Sequence, residues 1–349
     1  MLALFLPAGV LVGMGLIALS TLSLHSFIFQ IIWTALAACL VVLFIKIDAR
    51  SVFNSRWVVQ GMYGFGVLLM LVALLASPLV RHTHSWIVLG PLTLQPVEFM
   101  KVALILLFAN YFSRRHLAIA RWKTILVSFL FFAIPAAISI KLPDLSSAII
   151  FFCIWFGFLI FLGLPMRRML VALAVLIAAL ALTWNFALKG YQRARIAGYL
   201  APQENALGIN YSVIQSKIAI GSSGWFGKGY GQGTQTQLGF LSQPTEDFIF
   251  SAVVEEWGLL GALVVCGAFF FLISQIVRIG ALADENLEKF ICMGTAIMFS
   301  TQFLLNAGSA TGLTPVVGVT FPFLSYGGSS LLADGFLLAI VNSIRKRLA

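Results

Sequence analysis

The sequence predicts an all-α membrane protein of about ten transmembrane helices. Of its 349 residues, 60% are hydrophobic and only 10% are charged. Soluble domains carry about a quarter charged residues, so lipid must solvate much of the apolar surface of this chain. Apolar runs of about 20 residues, the length that a helix needs to cross a bilayer, recur along the whole sequence. We expect them to form one continuous membrane domain, 1–349.

The apolar runs place the ten spans along the chain. The first run has no basic segment before it, which favours a transmembrane helix over a cleaved signal peptide. Pro135 and Pro143 interrupt the region of spans five and six. The predicted spans are 2–21, 27–45, 58–80, 97–112, 124–140, 145–164, 169–187, 248–276, 290–311 and 320–343.

The charges between the spans predict the orientation. The formal net charge is +10, and 14 of the 22 Lys and Arg residues fall in the C-terminus and the short loops that share one side of the membrane. Basic residues concentrate on the cytoplasmic side of membrane proteins. We therefore expect both termini to be cytoplasmic. The positive charge is explained by topology and does not call for a nucleic-acid partner.

A long loop, 188–247, joins spans seven and eight on the predicted outer face. It is rich in glycine, yet aromatic and aliphatic side chains occur throughout, so we expect it to be ordered. Apolar residues at helical spacing over 211–220 predict an amphipathic helix. The glycine run between Gly221 and Gly239 is either a flexible turn or a place where backbone N–H groups approach an anion.

Ionisable residues at membrane depth are costly, so each is a candidate for function. Glu98 and Lys101 lie one helical turn apart and can pair, either to lock helix packing or to line a substrate cavity. Asp144 is either an N-cap of span six or a cavity residue. Glu255 lies two turns into span eight and must face protein or water.

Two carboxylates, Glu246 and Asp247, precede the apolar part of span eight. One suffices to cap a helix, which leaves the second for proton transfer. The four cysteines all lie in apolar runs and have no metal-site spacing, so we expect no protein metal centre. The segment 321–330 contains Pro, Gly and Ser at membrane depth, which indicates broken backbone that is buried in protein or lines a cavity.

Five motifs in order resemble one family, the SEDS proteins (shape, elongation, division and sporulation). They are Gln95-Pro96-Val97-Glu98-Phe99-Met100-Lys101, Pro143-Asp144-Leu145, Gln215-Ser216-Lys217-Ile218-Ala219-Ile220-Gly221, Asp247-Phe248-Ile249-Phe250 with Glu255-Glu256, and Pro322-Phe323 with Ser325-Tyr326-Gly327-Gly328-Ser329-Ser330. The run from Gly233 to Leu241 is also similar to the family pattern. Within the family, the loop strings resemble the elongation branch, RodA, rather than the division branch, FtsW. Ser146, Glu246 and the segment 306–312 depart from the pattern.

The resemblance implies a ten-span fold and a peptidoglycan glycosyltransferase that polymerises lipid II at the outer membrane face. The 4-hydroxyl of the acceptor sugar attacks the anomeric carbon of the donor, and a general base takes its proton. Asp247 is the predicted base. The pyrophosphate leaving group needs positive charge or a metal. We expect substrate-binding residues at Glu98, Lys101, Asp144, Arg193, Arg195, Lys217, Lys228, Glu255, Ser325 and Ser329.

The resemblance also implies partners. It points to a class B penicillin-binding transpeptidase, the elongation machinery and membrane lipid. A divalent cation, Mg²⁺ or Mn²⁺, is compatible with the chemistry, although no ligand cluster stands out. Each loop cation is alternatively an exposed residue near anionic lipid headgroups. Two rival functions are a lipid II flippase and a non-catalytic scaffold for the transpeptidase.

Overall fold

The computed structural model describes residues 2–44, 49–76, 86–89, 92–115, 121–171, 174, 190, 193, 198–199 and 210–348. Apart from one small hairpin, the regular structure in these ranges is helical, so the predicted all-α membrane class is confirmed. The helices are α1 (Leu2–Leu22), α2 (Leu24–Phe44), α3 (Ala49–Phe53), α4 (Arg56–Ala76), α5 (Pro96–Ser113), α6 (Trp122–Lys141), α7 (Leu145–Phe161), α8 (Tyr211–Gly221), α9 (Thr234–Gln237), α10 (Ile249–Leu282), α11 (Asn286–Thr311) and α12 (Gly328–Arg347). Strands β1 (Ile87–Leu89) and β2 (Leu92–Leu94) pair antiparallel between α4 and α5.

Seven of the described helices are long and apolar enough to cross a membrane: α1, α2, α4, α5, α6, α10 and α11. Helix α7 is a shorter apolar helix. Predicted span seven, 169–187, lies almost wholly outside the described residues. A helix is present over 211–220, as the loop pattern predicted.

The last predicted span, 320–343, begins too early. Helix α12 starts only at Gly328, because backbone N–H groups of the preceding segment form hydrogen bonds outside the helical pattern. The Phe321 N–H donates to the Ser325 hydroxyl at 2.8 Å, and the Tyr326 N–H donates to the Thr245 carbonyl at 2.9 Å. Phe323 has a φ of 63°, which a helix cannot contain.

By Cα proximity the chain divides into two compact units, where the sequence predicted one domain. Unit one contains 1–41, 190–275 and 299–336, and unit two contains 42–189, 276–298 and 337–349. Helices α10, α11 and α12 each contribute residues to both units, so no linker in the sequence marks the division.

Unit two is built around α5. Nearly every side chain of α5 is buried, and α4 and α7 pack against it. Helices α6 and α7 form a second close pair, in which the rings of Phe132 and Trp155 stack at 5.4 Å. The indole N–H of Trp155 donates to the Ser128 hydroxyl at 3.1 Å. Unit two thus has an aromatic and aliphatic core of its own.

Unit one gathers α1, the long loop and the segment before α12. Gly15 of α1 allows the Leu324 backbone to approach, since a β-carbon there would lie 2.3 Å from the Leu324 carbonyl oxygen. The Gln30 side chain of α2 donates to the Ser325 carbonyl at 3.1 Å. These contacts hold the segment 319–327 in an irregular but fixed shape, which positions the residues described next.

Candidate functional site

Asp247 lies directly before α10 in unit one, and its backbone is fixed by α11. The buried Asn306 side chain donates one hydrogen bond to the Asp247 carbonyl at 3.0 Å and another to the Val319 carbonyl at 2.7 Å. The Ser325 hydroxyl donates to the neighbouring Glu246 carbonyl at 2.7 Å. Asp247 itself is partly exposed. A carboxylate is therefore presented from a backbone that has little freedom to move.

Gly318 lies beside this carboxylate. A β-carbon at Gly318 would stand 3.7 and 3.9 Å from the two Asp247 carboxylate oxygens, and the φ of Gly318 is 70°. This is the left-handed region that favours glycine. The missing side chain leaves open space directly next to the carboxylate.

Lys217 is a basic residue of α8, and it also belongs to unit one. Its terminal atoms lie against Gly312, where a β-carbon would come within 2.4 Å of the Lys217 Nζ. No carboxylate pairs with Lys217 among the residues that the structure describes. Lys217 also lines a cavity of about 60 Å³ together with Tyr199, Asn210 and Thr314.

Helix α8 is anchored by Ser216, the residue before Lys217. The buried Ser216 hydroxyl donates to the Ala310 carbonyl of α11 at 2.6 Å and lies 2.6 Å from the Ser251 hydroxyl of α10. The loop helix is thus tied to α10, which begins two residues after Asp247, and to α11, which carries Asn306.

Lys217 and Asp247 flank opposite ends of one short segment, 312–318. The Lys217 side chain lies against Gly312, and the Asp247 carboxylate lies beside Gly318. The segment has seven residues, so the six steps between its first and last Cα atoms span at most roughly 20 Å when fully extended. The structure therefore places a carboxylate and a lysine beside the two ends of the same short segment.

Glu255 and Lys228 form an ion pair inside the glycine-rich loop. The Lys228 Nζ donates to Glu255 Oε1 at 2.8 Å, and the Glu255 side chain is 0% exposed. The same carboxylate accepts the backbone N–H groups of Gln235 and Thr236 at 2.8 and 3.1 Å. Backbone N–H groups within the glycine run therefore do approach an anion, and that anion is a side chain of the protein itself. The geometry gives both residues a loop-holding role; direct substrate contact by them stays a prediction.

The glycine-rich loop also forms hydrogen bonds with α10 at a point where that helix is interrupted. Gly258 has a φ of 64° and a ψ of −159°, which interrupts the helix. The bonds that a regular helix would make from 259 to 255 and from 260 to 256 are absent. Loop backbone replaces them. The backbone N–H groups of Lys228 and Gly229 donate to the backbone carbonyls of Glu255 and Glu256 at 2.9 and 3.0 Å. In return, the N–H groups of Leu259 and Leu260 donate to the backbone carbonyls of Gly224 and Trp225 at 3.0 and 3.2 Å.

Unit two holds the other predicted carboxylates. The Lys101 Nζ and Glu98 Oε2 lie 2.6 Å apart in the first turns of α5, and their side chains are 2% and 8% exposed. Asp144 caps α7, because its carboxylate accepts the Ser147 N–H at 3.1 Å and the hydroxyls of Ser146 and Ser147 at 2.6 Å each. The capping alternative for Asp144 is confirmed.

The remaining predicted site residues are Ser325, Ser329, Arg193 and Arg195. Ser325 is buried, and its hydroxyl is hydrogen-bonded to the backbone of Phe321 and Glu246. Ser329 is partly exposed in the first turn of α12. Arg193 is half-buried. Arg195 lies outside the described residues.

Sequence reasoning missed Asn306, Gly312 and Gly318 as parts of the site. The signal for Asn306 was an amide side chain within an apolar span, which is costly in lipid unless it is hydrogen-bonded. The two glycines had no sequence signal, because their importance depends on a positive φ and on the side chains packed against them.

The described residues contain no cluster of three or more His, Cys, Asp or Glu side chains that could hold a metal ion. Mg²⁺ is commonly held by one or two carboxylates plus substrate phosphates, and Asp247 is a partly exposed carboxylate of the site that could supply such a ligand.

Comparison with known proteins covers the whole chain. The family model described as a cell cycle protein, FtsW/RodA/SpoVE, matches residues 2–349. The peptidoglycan glycosyltransferase MrdB of Escherichia coli K12 is 34% identical over 278 residues, which are 79% of this chain and 75% of that protein. The probable peptidoglycan glycosyltransferase FtsW of Trichlorobacter lovleyi is 32% identical over 294 residues, which are 83% of this chain and 76% of that protein.

A solved structure has the same fold. It comes from a peptidoglycan synthase complex studied for the structural coordination of polymerization and crosslinking. The TM-score is 0.85 at 28% identity, with 100% of this chain and 98% of that chain covered.

Proposed function

Since the chain belongs to the SEDS (FtsW/RodA/SpoVE) family of peptidoglycan glycosyltransferases, we propose that it polymerises lipid II at the outer face of the cytoplasmic membrane. The observation that carries the proposal is Asp247, a partly exposed carboxylate whose backbone is held by Asn306 and whose flank is opened by Gly318.

In the proposed reaction, Asp247 acts as the general base. The 4-hydroxyl oxygen of the acceptor sugar forms a bond to the anomeric carbon of the donor, and its proton passes to the Asp247 carboxylate. The bond from that carbon to the pyrophosphate oxygen breaks, and its electron pair leaves with undecaprenyl pyrophosphate. Positioned proton transfer of this kind typically contributes about 10²–10⁴-fold in rate.

Lys217 is our candidate for stabilising the leaving pyrophosphate. It carries a charge that no described carboxylate neutralises, whereas the charge of Lys228 is already matched by Glu255. A cation that is fixed before the reaction stabilises developing negative charge without a reorganisation cost. Because Asp247 and Lys217 lie beside the two ends of the segment 312–318, we assign the acceptor sugar to Asp247 and the pyrophosphate to Lys217.

We assign the enzyme to cell elongation. The support is the similarity of the loop strings around Lys217 and Gly233 to the elongation branch. The relatives include both an MrdB and an FtsW, so a cellular test is required. Depletion should turn rod-shaped cells round; filaments without septa would indicate a division role.

A transpeptidase partner is the second part of the proposal. Its support is the likeness to a chain from a synthase complex that coordinates polymerization with crosslinking. We expect a class B penicillin-binding protein and the elongation machinery to associate with this chain.

The test uses purified protein, labelled lipid II and a gel that separates glycan strands, with and without a transpeptidase. Glycan strands in the presence of protein support the proposal. Movement of lipid II across vesicles without strands would favour a flippase, and strands only from the added partner would leave this chain a scaffold.

A further inference from the structure

Unit two contains a cavity that is separate from every residue assigned to catalysis above. It lies where α4 begins and α5 ends, and its volume is about 240 Å³. A water molecule occupies about 30 Å³ in the liquid, so the cavity is large enough for a small polar group. It is lined by Arg56, Val59, Gln60, Leu107, Asn110, Tyr111, Arg114, Arg115, Val127 and Phe131.

The charge of this cavity is strongly one-sided. Three arginines, Arg56, Arg114 and Arg115, line it, and no Asp or Glu does. Two other arginines of unit two do have carboxylate partners: Arg50 pairs with Glu285 at 2.6 Å, and Arg347 pairs with Glu288 at 2.7 Å. Within the described ranges, the three cavity arginines have no carboxylate partner. The cavity therefore presents three uncompensated positive charges.

Two of these arginines are held in place. The Arg114 guanidinium donates to the carbonyl and the side-chain oxygen of Asn54, the latter at 3.1 Å. The Arg115 guanidinium lies over the Tyr111 ring, 4.4 Å from its centroid. The Asn110 amide fixes the preceding turn by donating to the Phe53 and Asn54 carbonyls at 2.8 and 3.1 Å. Cations held in advance bind an anion with less loss of entropy.

Four of the other lining residues are apolar and belong to membrane-spanning helices. Val59, Leu107, Val127 and Phe131 come from α4, α5 and α6. Trp57, next to Arg56, is 84% exposed, and tryptophan is enriched where a membrane meets water. A ligand that suits this site has an anionic head and an apolar tail.

We propose that this cavity binds the phosphate of an anionic glycerophospholipid, with the arginines around the head and an acyl chain along α4 and α6. Basic pockets between transmembrane helices are a known form of lipid recognition. In the proposed topology the site faces the cytoplasmic leaflet, so it is distinct from the lipid II site and requires no polymerising activity.

The experiment measures lipid binding to the full-length protein by native mass spectrometry. The probes are phosphatidylglycerol, phosphatidylcholine with the same acyl chains, and inorganic phosphate. The variants are the wild type, the double variant Arg56→Gln/Arg115→Gln, and Arg121→Gln, an exposed arginine outside the cavity. Arg114 is left intact because it holds the Asn54 turn.

Each basic residue near an anionic lipid contributes roughly 1 kcal/mol, so the double variant should bind phosphatidylglycerol roughly 30-fold more weakly. Arg121→Gln should bind it like the wild type, and phosphatidylcholine should bind weakly to all three proteins. Equal binding of phosphatidylglycerol to the wild type and the double variant would overturn the proposal. Displacement of the lipid by millimolar phosphate would instead show a site for free anions and would equally overturn it.

Discussion

At the scale of single residues, the site depends on groups that hold Asp247 as much as on Asp247 itself. Asn306 is the clearest of these, since one buried amide binds the carbonyls of both Asp247 and Val319. Its role is to position the carboxylate. A positioning residue should affect the rate of the chemical step more than the affinity for substrate.

We predict that Asn306→Leu lowers kcat for lipid II polymerisation roughly tenfold or more and changes KM little. The substitution leaves two buried carbonyls without donors, which costs about 1–3 kcal/mol each. Gln302→Leu is the matched control, because Gln302 is a buried amide one turn earlier on α11 whose side chain has no hydrogen-bond partner among the described residues. Similar losses of kcat in both variants would show that Asn306 has no specific positioning role.

At the scale of elements, the long loop and α10 are one structural piece. Loop backbone replaces the hydrogen bonds that α10 loses at Gly258, and the Glu255 carboxylate holds the loop from the other side. Gly258 cannot carry a side chain here, because a β-carbon would lie 2.4 Å from the Gly227 nitrogen.

We predict that Gly258→Ala lowers the thermal stability of the detergent-solubilised protein by several degrees and reduces polymerisation. Gly267→Ala is the control on the same helix, since nothing lies within 4 Å of its added β-carbon. That variant should be neutral or slightly more stable, because alanine favours a helix by about 0.5–1 kcal/mol over glycine. Equal melting temperatures for the two variants would argue against the joined loop and helix.

The Glu98–Lys101 ion pair is buried in the first turns of α5. Removing one member of a buried ion pair typically costs about 3–5 kcal/mol, whereas replacing both with apolar or neutral groups is often tolerated. We predict that Lys101→Ala lowers the yield of folded protein strongly and that Glu98→Gln/Lys101→Met restores it.

Size-exclusion profiles of the folded protein measure these yields. The activity of the double variant then separates the two roles left open by the sequence. A folded, fully active double variant would make the pair a packing device only. A folded but inactive one would show that the charges serve the substrate.

At the scale of the whole molecule, much of the fold could be predicted from composition and apolar spacing. The spans are long and apolar, so their existence depends on few residues. What sequence could not predict depends on tertiary contact. Helix α12 starts late because Ser325 and Thr245 take the N–H groups before it. The ion pair of Glu255 could not be predicted, because nothing in its sequence neighbourhood reveals Lys228, twenty-seven residues away, as its partner.

Topology is a prediction at this same scale. The excess of Lys and Arg in alternate loops places both termini in the cytoplasm. A green fluorescent protein fused after Ala349 should fluoresce, and alkaline phosphatase fused at the same point should be inactive. The reverse pattern would place the C-terminus outside and would invert the faces assigned to Lys217 and to the arginine cavity.

The most direct test of the account is the rate of lipid II polymerisation by Asp247→Asn, with Asp284→Asn as the control. Asp284 is an exposed carboxylate between α10 and α11, so its loss should leave the rate unchanged. We predict that Asp247→Asn inserts and folds normally, still binds lipid II, and polymerises it at least about 10²-fold more slowly. A folded Asp247→Asn protein that polymerises within a few-fold of the wild-type rate would contradict the assignment of Asp247 as the base.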